Sequence, residues 1–531
     1  MIKELDPRYQ ENQNSTWDYS AVLPNIAASK KTMQNTTRNV CPEVYFYQKT
    51  GDLLRQRNMR TKTCTYVPPF KTVLTAILPV MSWTSKSIKF VVDQIRLFYD
   101  IPIVLIVEEN QLDESTTLNL FSANVTLHLS NSDKSFGTTL NKAVELYANT
   151  PFVGIFENLA HFNNQSSLQR LIRVLDDLEH VAAASGASRD PGGHWIHGCL
   201  QQKESNYRAG YEIGYYYSKY ECMYCDDVLS PFIAKTSVLK TIKFDKKLKR
   251  PIIYRDWFIR LRKSGQLAIM CPDVMFYVTK HLNITKKDWI PFARKWSFVE
   301  IKSYNDKHFS FTCENVGITC KHTFKNVKSY LLPPCCIDRF IKLLRVFTNY
   351  GDKHKLEYEL QAGSNLGAVK FGTYLPWDFD MDILVVCEDL SRWHLMKSVA
   401  SQHKCKLAIG KPHSYFTVRC PISFIEFYCK STTSSKYLPE IYRSNATKIK
   451  YDGKWIKVPS NPGLNARNAM GLENLRHAPH WRHLKSSSLG KAKGGYLNPG
   501  RWNNPCDKPN FHSCLDRYSA DGNLNFLHPP W

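Results

Sequence analysis

Three aspartates in Pro376-Trp377-Asp378-Phe379-Asp380-Met381-Asp382 alternate with apolar residues, and this spacing is the densest chemical signal in the chain. On an extended strand the period of two puts Asp378, Asp380 and Asp382 on one face and turns Phe379, Met381 and Ile383 into apolar packing. Three carboxylates sharing a face repel one another and raise each other's pKa unless a divalent cation sits between them, and hard oxygen ligands favour magnesium or manganese. Such an ion orients a diphosphate and stabilises the leaving group of an in-line phosphoryl displacement. Ahead of the acids, Gly363-Ser364 reads as a turn between a short strand, Tyr358–Gln361, and a helical turn, Asn365–Lys370. Gly363 lets backbone approach a phosphate, the helix-start N–H groups and the Ser364 hydroxyl can bind its oxygens, and Lys370 can neutralise developing charge. Downstream, Glu426 in Ile422-Ser-Phe-Ile-Glu426-Phe-Tyr428 can complete the metal shell or act as general base on an acceptor hydroxyl; the alternative is an ordinary strand acid.

A second constellation is Cys313 and Cys320, seven positions apart, followed by Pro333-Pro334-Cys335-Cys336. Four thiolates from two short loops can close a tetrahedral zinc shell that stiffens a loop with little core of its own; the alternative is two disulfides. Adjacent Cys335 and Cys336 would then reach separate partners. Cys199 precedes Cys222-Met-Tyr-Cys225 and reads as disulfide-bonded to one of that pair, whereas Cys387, Cys405, Cys420 and Cys429 lie in apolar surroundings and read as buried thiols.

These groups need elements to hold them. The 531 residues suffice for two or three domains, and the net charge of +24, from 71 Lys and Arg against 47 Asp and Glu, suits an anionic partner. Charge alone does not choose among nucleic acid, anionic lipid, a nucleotide-sugar-like donor and a generally basic solvated surface, and the basic residues stand beside no recognisable nucleic-acid motif. Sixteen cysteines and six Asn-x-Ser/Thr sequons lean toward an oxidising, lumenal compartment. No stretch reaches the roughly 20 apolar residues of a spanning helix, so for a lumenal protein the membrane anchor is expected outside this sequence, a cytosolic protein being the alternative.

Residues 1–66 read as an irregular arm and 481–531 as an irregular tail. Between them, Lys71–Val80, Ile101–Glu108, Asn124–Leu129 and Pro151–Phe156 read as strands alternating with helices at Ser87–Tyr99 and Gly137–Asn149, which predicts a parallel α/β sheet. This order over 67–290 resembles the glycosyltransferase fold that binds nucleotide sugars. Where such enzymes carry a metal-holding Asp-x-Asp, this chain has Glu157-Asn158-Leu159, so the resemblance implies a noncatalytic, Rossmann-like stem or acceptor-binding domain.

The pattern Gly363-Ser-Asn-Leu-Gly-Ala-Val-Lys370 followed by Leu375-Pro-Trp-Asp-Phe-Asp-Met-Asp382 is similar to the signature of the LicD family, a branch of the nucleotidyltransferase fold. The resemblance implies a catalytic domain over 300–480, including a zinc loop at 313–336. It implies a metal-dependent transferase that moves ribitol 5-phosphate, or a related alditol phosphate, from CDP-ribitol to a glycan of the dystroglycan type in protein O-mannosylation within the Golgi lumen. Phosphocholine or another phospho-group as cargo, or a silent glycan-binding protein, are the alternatives. It further implies structural zinc at the four cysteines, phosphate contact by Arg467 in the closing segment Val458–Arg467, and a homo-oligomer formed through the N-terminal domain. The family's Glu-Gly-Gly-Ser-Leu-Leu is Gln361-Ala-Gly-Ser-Asn-Leu366 here, and an expected arginine is Lys370.

Overall fold

The computed structural model describes residues 67–470 except 82, 109–124, 131–134, 206, 230, 280–283, 321–331, 376–377, 379, 411–414, 422 and 432–445, together with 38–41, 43–44 and 60–61. The tail at 481–531 and most of the arm lie outside the described residues. Within the arm, Glu43–Val44 pairs with Arg60–Thr61, and Arg38 is tethered to Asp177 at 2.7 Å.

The first unit is built on β1 (Leu74–Pro79), α1 (Ser85–Phe98), β2 (Ile103–Glu108), β3 (Val125–Ser130), α2 (Phe136–Tyr147) and β4 (Phe152–Ile155). Each lies within a few residues of its expected place. β1 is apolar on both faces and wholly buried, as a central parallel strand must be. Thr84 and Ser135 cap α1 and α2 by accepting the N–H groups of Ser87 and Thr138. Strands β1 to β4 are mutually parallel in the order β3-β2-β1-β4, with the direction of winding reversing at β1. The sheet then continues as a mixed one through β5 (Val181–Arg189), β8 (Cys222–Cys225), β9 (Phe232–Lys235) and β10 (Leu267–Val278), in the order β4-β9-β5-β10-β8. The expectation of a parallel sheet holds for β1 to β4 and again for β5 with β10, and it is broken by β9 and β8. β9 is antiparallel to both of its neighbours because it returns between strands already laid down.

A smaller sheet holds β6 (Cys199–Ser205), β7 (Arg208–Ile213), β11 (Glu300–Lys302) and β12 (His308–Ser310). Phe311 and Val316 join the hydrophobic core of this first unit, so the loop carrying Cys313 and Cys320 packs there.

The second unit opens with α4 (Pro334–Lys353), whose Ile337, Phe340, Ile341, Leu344 and Phe347 line one buried face at helical spacing. β13 (Tyr358–Leu360), α5 (Ala362–Phe371), β14 (Asp380–Val386), β15 (Lys406–Ile409), β16 (Tyr415–Arg419) and β17 (Phe424–Lys430) follow. They form a five-stranded sheet in the order β13-β14-β17-β16-β15, in which β14 and β17 are parallel. The hairpin β18 (Thr447–Tyr451) and β19 (Lys454–Val458) and the helix α6 (Pro462–Met470) close the unit.

Sulfur pairing departs from the sequence reading in two places. Cys387 joins Cys429 and Cys405 joins Cys420, where buried thiols are expected. Register explains both. Val385 lies opposite Cys429 and Lys406 opposite Arg419, so each pair of cysteines meets across adjacent strands. Cys199 bonds Cys225, one of its two expected partners, and Cys222 bonds Cys271 on β10.

Candidate active site

Alternation on β14 divides the second sheet chemically. Met381, Ile383 and Val385 are fully buried with Ile425, Phe427, Phe416 and Val418 in the core beneath α4. Asp380 and Asp382 occupy the other face. β17 runs parallel alongside with Asp380 opposite Phe424 and Asp382 opposite Glu426, so Glu426 shares the acidic face. The strand begins at Asp380. Asp378 stands before it, nearly buried, instead of extending the same strand face.

The predicted Gly363-Ser364 turn is the first turn of α5, which starts directly after β13 and makes that segment a clamp on the acidic strand. The backbone N–H of Gln361 donates to the Asp382 carbonyl at 2.9 Å, and the Asp382 N–H donates to Ser364 Oγ at 3.0 Å. The Gly363 N–H also stabilises the Asp382 carboxylate. A side chain at 363 has no room: a Cβ there would stand 2.4 Å from Asp378 Oδ2. Gly363 and Ser364 thus spend their polar groups on the acids themselves.

Burial, and then the charges of Asp380 and Glu426, push the Asp382 carboxyl up to about 7 against the opposing hydrogen bond from Gly363. Tyr428 donates its hydroxyl to Glu426 Oε2, and the Tyr374 hydroxyl donates to the Asp380 carbonyl at 3.0 Å. On β13, buried Glu359 lies opposite Leu384 and accepts from Gln361 Nε2 at 2.5 Å; burial pushes its carboxyl up to about 8. The oxygens that could bind an ion are hard carboxylates on one face, a set that fits magnesium or manganese. Among the described residues, the groups with three ligand atoms within 4.8 Å of one another are Cys313/Cys320/Cys336 and Cys222/Cys271/Asp273. No three of the site's carboxylates form such a group among the described residues.

Neither Lys370 nor Arg467 is among the groups that bear on the Asp382 carboxyl. Lys370 sits in the last turn of α5, about 10 Å along the axis from Gly363, and burial lowers it to about 7. Arg467 is exposed on α6. Two residues earlier, buried Asn465 faces α5 and accepts from Asn365 Nδ2 at 3.1 Å, and two residues correspond to about 200° around a helix. Asn365 also donates to the Pro462 carbonyl at 3.1 Å. Sequence reasoning missed this Asn365–Asn465 lock, together with Glu359 and Tyr428. For Tyr428 a signal was present, because it follows Glu426 at the spacing of one strand face.

The four cysteines of the second constellation meet in one buried cluster, paired as Cys313–Cys335 and Cys320–Cys336. This is the disulfide alternative in place of the zinc shell. Adjacent Cys335 and Cys336 reach separate partners, because their side chains leave the start of α4 in different directions. Cys313 Sγ lies 3.4 Å from Cys320 Sγ and 3.5 Å from Cys336 Sγ.

In the first unit, Glu157 follows β4 at the carboxyl edge of the parallel strands, where open α/β sheets bind ligands. It is fully buried, and Arg250 Nε donates to it at 2.6 Å while the guanidinium lies over Phe136 at 4.7 Å.

Residues 355–461 match the LicD/FKTN/FKRP nucleotidyltransferase domain, a span that contains β13, α5, β14 and β17 and every acid of the site. This part of the chain is thus similar to a LicD-type nucleotidyltransferase domain. The particular relatives are the ribitol 5-phosphate transferases FKRP of Mus musculus and Homo sapiens, each 34% identical over 58 residues. That match spans 11% of this chain and 12% of those relatives' length. Among solved structures, GalNAc-T7 with UDP, GalNAc and Mn2+ is similar at a TM-score of 0.33 and 9% identity, over 41% of this chain and 45% of that one. S. aureus TarS with UDP-GlcNAc is similar at 0.31 and 15%, over 42% and 65%. The mannosyltransferase PcManGT of Pyrobaculum calidifontis with GDP-Man and Mn2+ is similar at 0.31 and 15%, over 52% and 69%.

Proposed function

We propose that this chain transfers ribitol 5-phosphate, or a related alditol phosphate, from a CDP-activated donor to a hydroxyl of a glycan on a dystroglycan-like glycoprotein. The observation that carries the reading is the clamped pair Asp380 and Asp382 beside Glu426, on the acidic face of a LicD-type domain. Asp380 and Asp382 would hold a magnesium or manganese ion, which when bound orients the donor diphosphate and offsets charge on its leaving group. Asp378 closes the first turn of α5 from below, so the site keeps its shape before any ligand arrives. Glu426, held by the Tyr428 hydroxyl, accepts the proton of the attacking acceptor hydroxyl. The ribitol phosphate forms a bond from its phosphorus to that oxygen as the bond to CMP breaks.

Cys313, Cys320 and Cys336 bring three sulfurs within 4.8 Å of one another, and with Cys335 they would suit a closed zinc shell were both disulfides reduced, a structural role away from the acids. The abundance of disulfides accords with a Golgi lumen, and the N-terminal unit is the surface through which copies of the chain would assemble. The test is transfer from CDP-ribitol to a dystroglycan-type glycan acceptor with magnesium, with magnesium plus EDTA, and with Asp380→Asn. Transfer that survives EDTA and the substitution unchanged would sink the reading.

A further inference from the structure

Besides the face it buries, α4 carries a second stripe. Lys342, Val346, Asn349 and Lys353 follow one another by four, three and four positions along one side of the helix, with Leu343 and Tyr350 beside them. The short helices Leu390–His394 and Lys397–Gln402 run back alongside. At one end the Tyr350 hydroxyl donates to the Arg392 carbonyl at 3.1 Å, and Arg392 Nη2 donates to the His354 carbonyl at 2.6 Å. Between these walls lie two cavities. One of about 540 Å³ is lined by Val346, Tyr350, Lys353, Leu395 and Val399 among others, and one of about 320 Å³ by Lys342, Leu343, Val346 and His403 among others. Val346 belongs to both, so they form a single groove along α4 from Arg339 to His354, roughly 22 Å at 1.5 Å per residue. α4 covers the apolar face of the second sheet, so the helix and the sheet separate this groove from Asp380 and Asp382.

The floor of the groove is apolar and its rim basic. Leu395 is 73% exposed, and Val346, Tyr350 and Val399 are half-buried. No carboxylate lines either cavity. Arg392 is matched by Asp389 and Arg339 by Glu314, whereas among the described residues Lys342 and Lys353 close no ion pair. Those two lysines stand roughly 16 Å apart along the helix axis, so a small anion reaches one of them and not both. An occupant that answers both is long, carries acids about three helical turns apart, and lays apolar side chains between them on Leu343, Val346, Leu395 and Val399. A helix meets these demands because its side chains recur at the same rise as those of α4, and it fits between two helical walls as a third packed segment. We infer that this groove docks an acidic amphipathic helix of a partner protein, on the side of the second unit turned away from its acids. Burial of Leu395 and Val399 supplies affinity, and the two lysines set the preference for an acidic partner and its register. The surface does not depend on the transfer reaction proposed above.

The experiment is fluorescence anisotropy of the full chain with a labelled helical peptide of about 16 residues, long enough to fill the groove, with leucines along one face and glutamates flanking them. A second peptide carries lysine in place of every glutamate. The glutamate peptide should bind at least about tenfold more tightly than the lysine peptide. Lys342→Glu/Lys353→Glu should weaken it about tenfold or more, and Leu395→Asp about tenfold, each with an unchanged melting temperature because the altered side chains lie outside the core. The same charge change at Lys448 and Lys450, exposed on the hairpin β18–β19, should leave its affinity as in wild type, which separates the groove from the general attraction of a chain of net charge +24. Equal affinity for the two peptides, groove variants that bind like wild type, or hairpin variants that lose as much as groove variants would each overturn the inference. Two further outcomes overturn it by naming another occupant. Sedimentation with phosphatidylserine–phosphatidylcholine vesicles that Leu395→Asp abolishes, with no peptide bound, makes the groove a membrane contact. A dimer in analytical ultracentrifugation that Leu395→Asp dissolves makes the occupant a second copy of the chain.

Discussion

Two sheets in this molecule present a buried carboxylate beside a strand end, and they treat its charge in opposite ways. Beyond β4, Glu157 is matched by Arg250, whose guanidinium burial alone would lower but which Glu157 holds above its usual value. On β14, the charges bearing on Asp382 are both negative, from Asp380 and Glu426. The first site carries its own cation and is electrically complete. On the proposed reading a cation from solution completes the second, and that difference would separate a structural acid from a catalytic set.

Removing the internal cation is expected to have the largest effect. Arg250→Met strands Glu157 in the core and should cost about 3–5 kcal/mol in chemical denaturation, with CDP affinity unchanged. An equal loss of CDP binding would show that the first site also holds nucleotide. Next in size, Asp380→Asn or Asp382→Asn should lower transfer by roughly 100- to 1000-fold, the range for losing a group that stabilises developing charge, while melting in the absence of divalent ions stays level or rises. A metal-free melting temperature that falls instead would make these acids structural, like Glu157.

Smaller effects probe what surrounds the acids. Glu359 is pushed up to about 8 from an ordinary value near 4.5. Between those pH values the folded chain keeps a proton that the unfolded chain has released, so stability falls as pH rises through that window. Glu359→Gln should flatten the decline of unfolding free energy between pH 5 and 8 by up to about 1.4 kcal/mol per pH unit, read by chemical denaturation. A pH profile identical to wild type would place the Glu359 proton elsewhere. Smallest, Ser364→Ala leaves the Asp382 N–H without its acceptor and should cost about 1–2 kcal/mol, with a transfer defect repaired by Ser364→Thr if the hydroxyl acts only as a strand clamp.

Much of this contrast was legible in the residues. Alternation in Asp380-Met-Asp382 predicts which side chains face the core, because a strand's period is fixed by its backbone. The strands around β1 are legible for the same reason, being short apolar runs between capped helices. What could not be read was pairing over distance. Asp382 meets Glu426, and Cys387 meets Cys429, only because β14 and β17 are adjacent and parallel, and no local signal carries that register. Gly363-Ser364 reads as a turn because glycine and serine are poor helix formers. Contacts of Ser364 with β14 and of Asn365 with α6 override that preference. Arg250 lies 93 positions from Glu157, so the neutralised acid was equally invisible.

The cysteine cluster has a mechanical consequence. Cys313 and Cys320 lie in a loop packed into the first unit's core, whereas Cys335 and Cys336 begin the helix that floors the second. Two covalent links in one buried cluster act as a riveted joint, tying the start of α4 to the loop packed on the first unit. A thiol reductant would loosen the joint without touching a single residue of the catalytic set, making the geometry between the two units, rather than the chemistry, sensitive to the redox state around it.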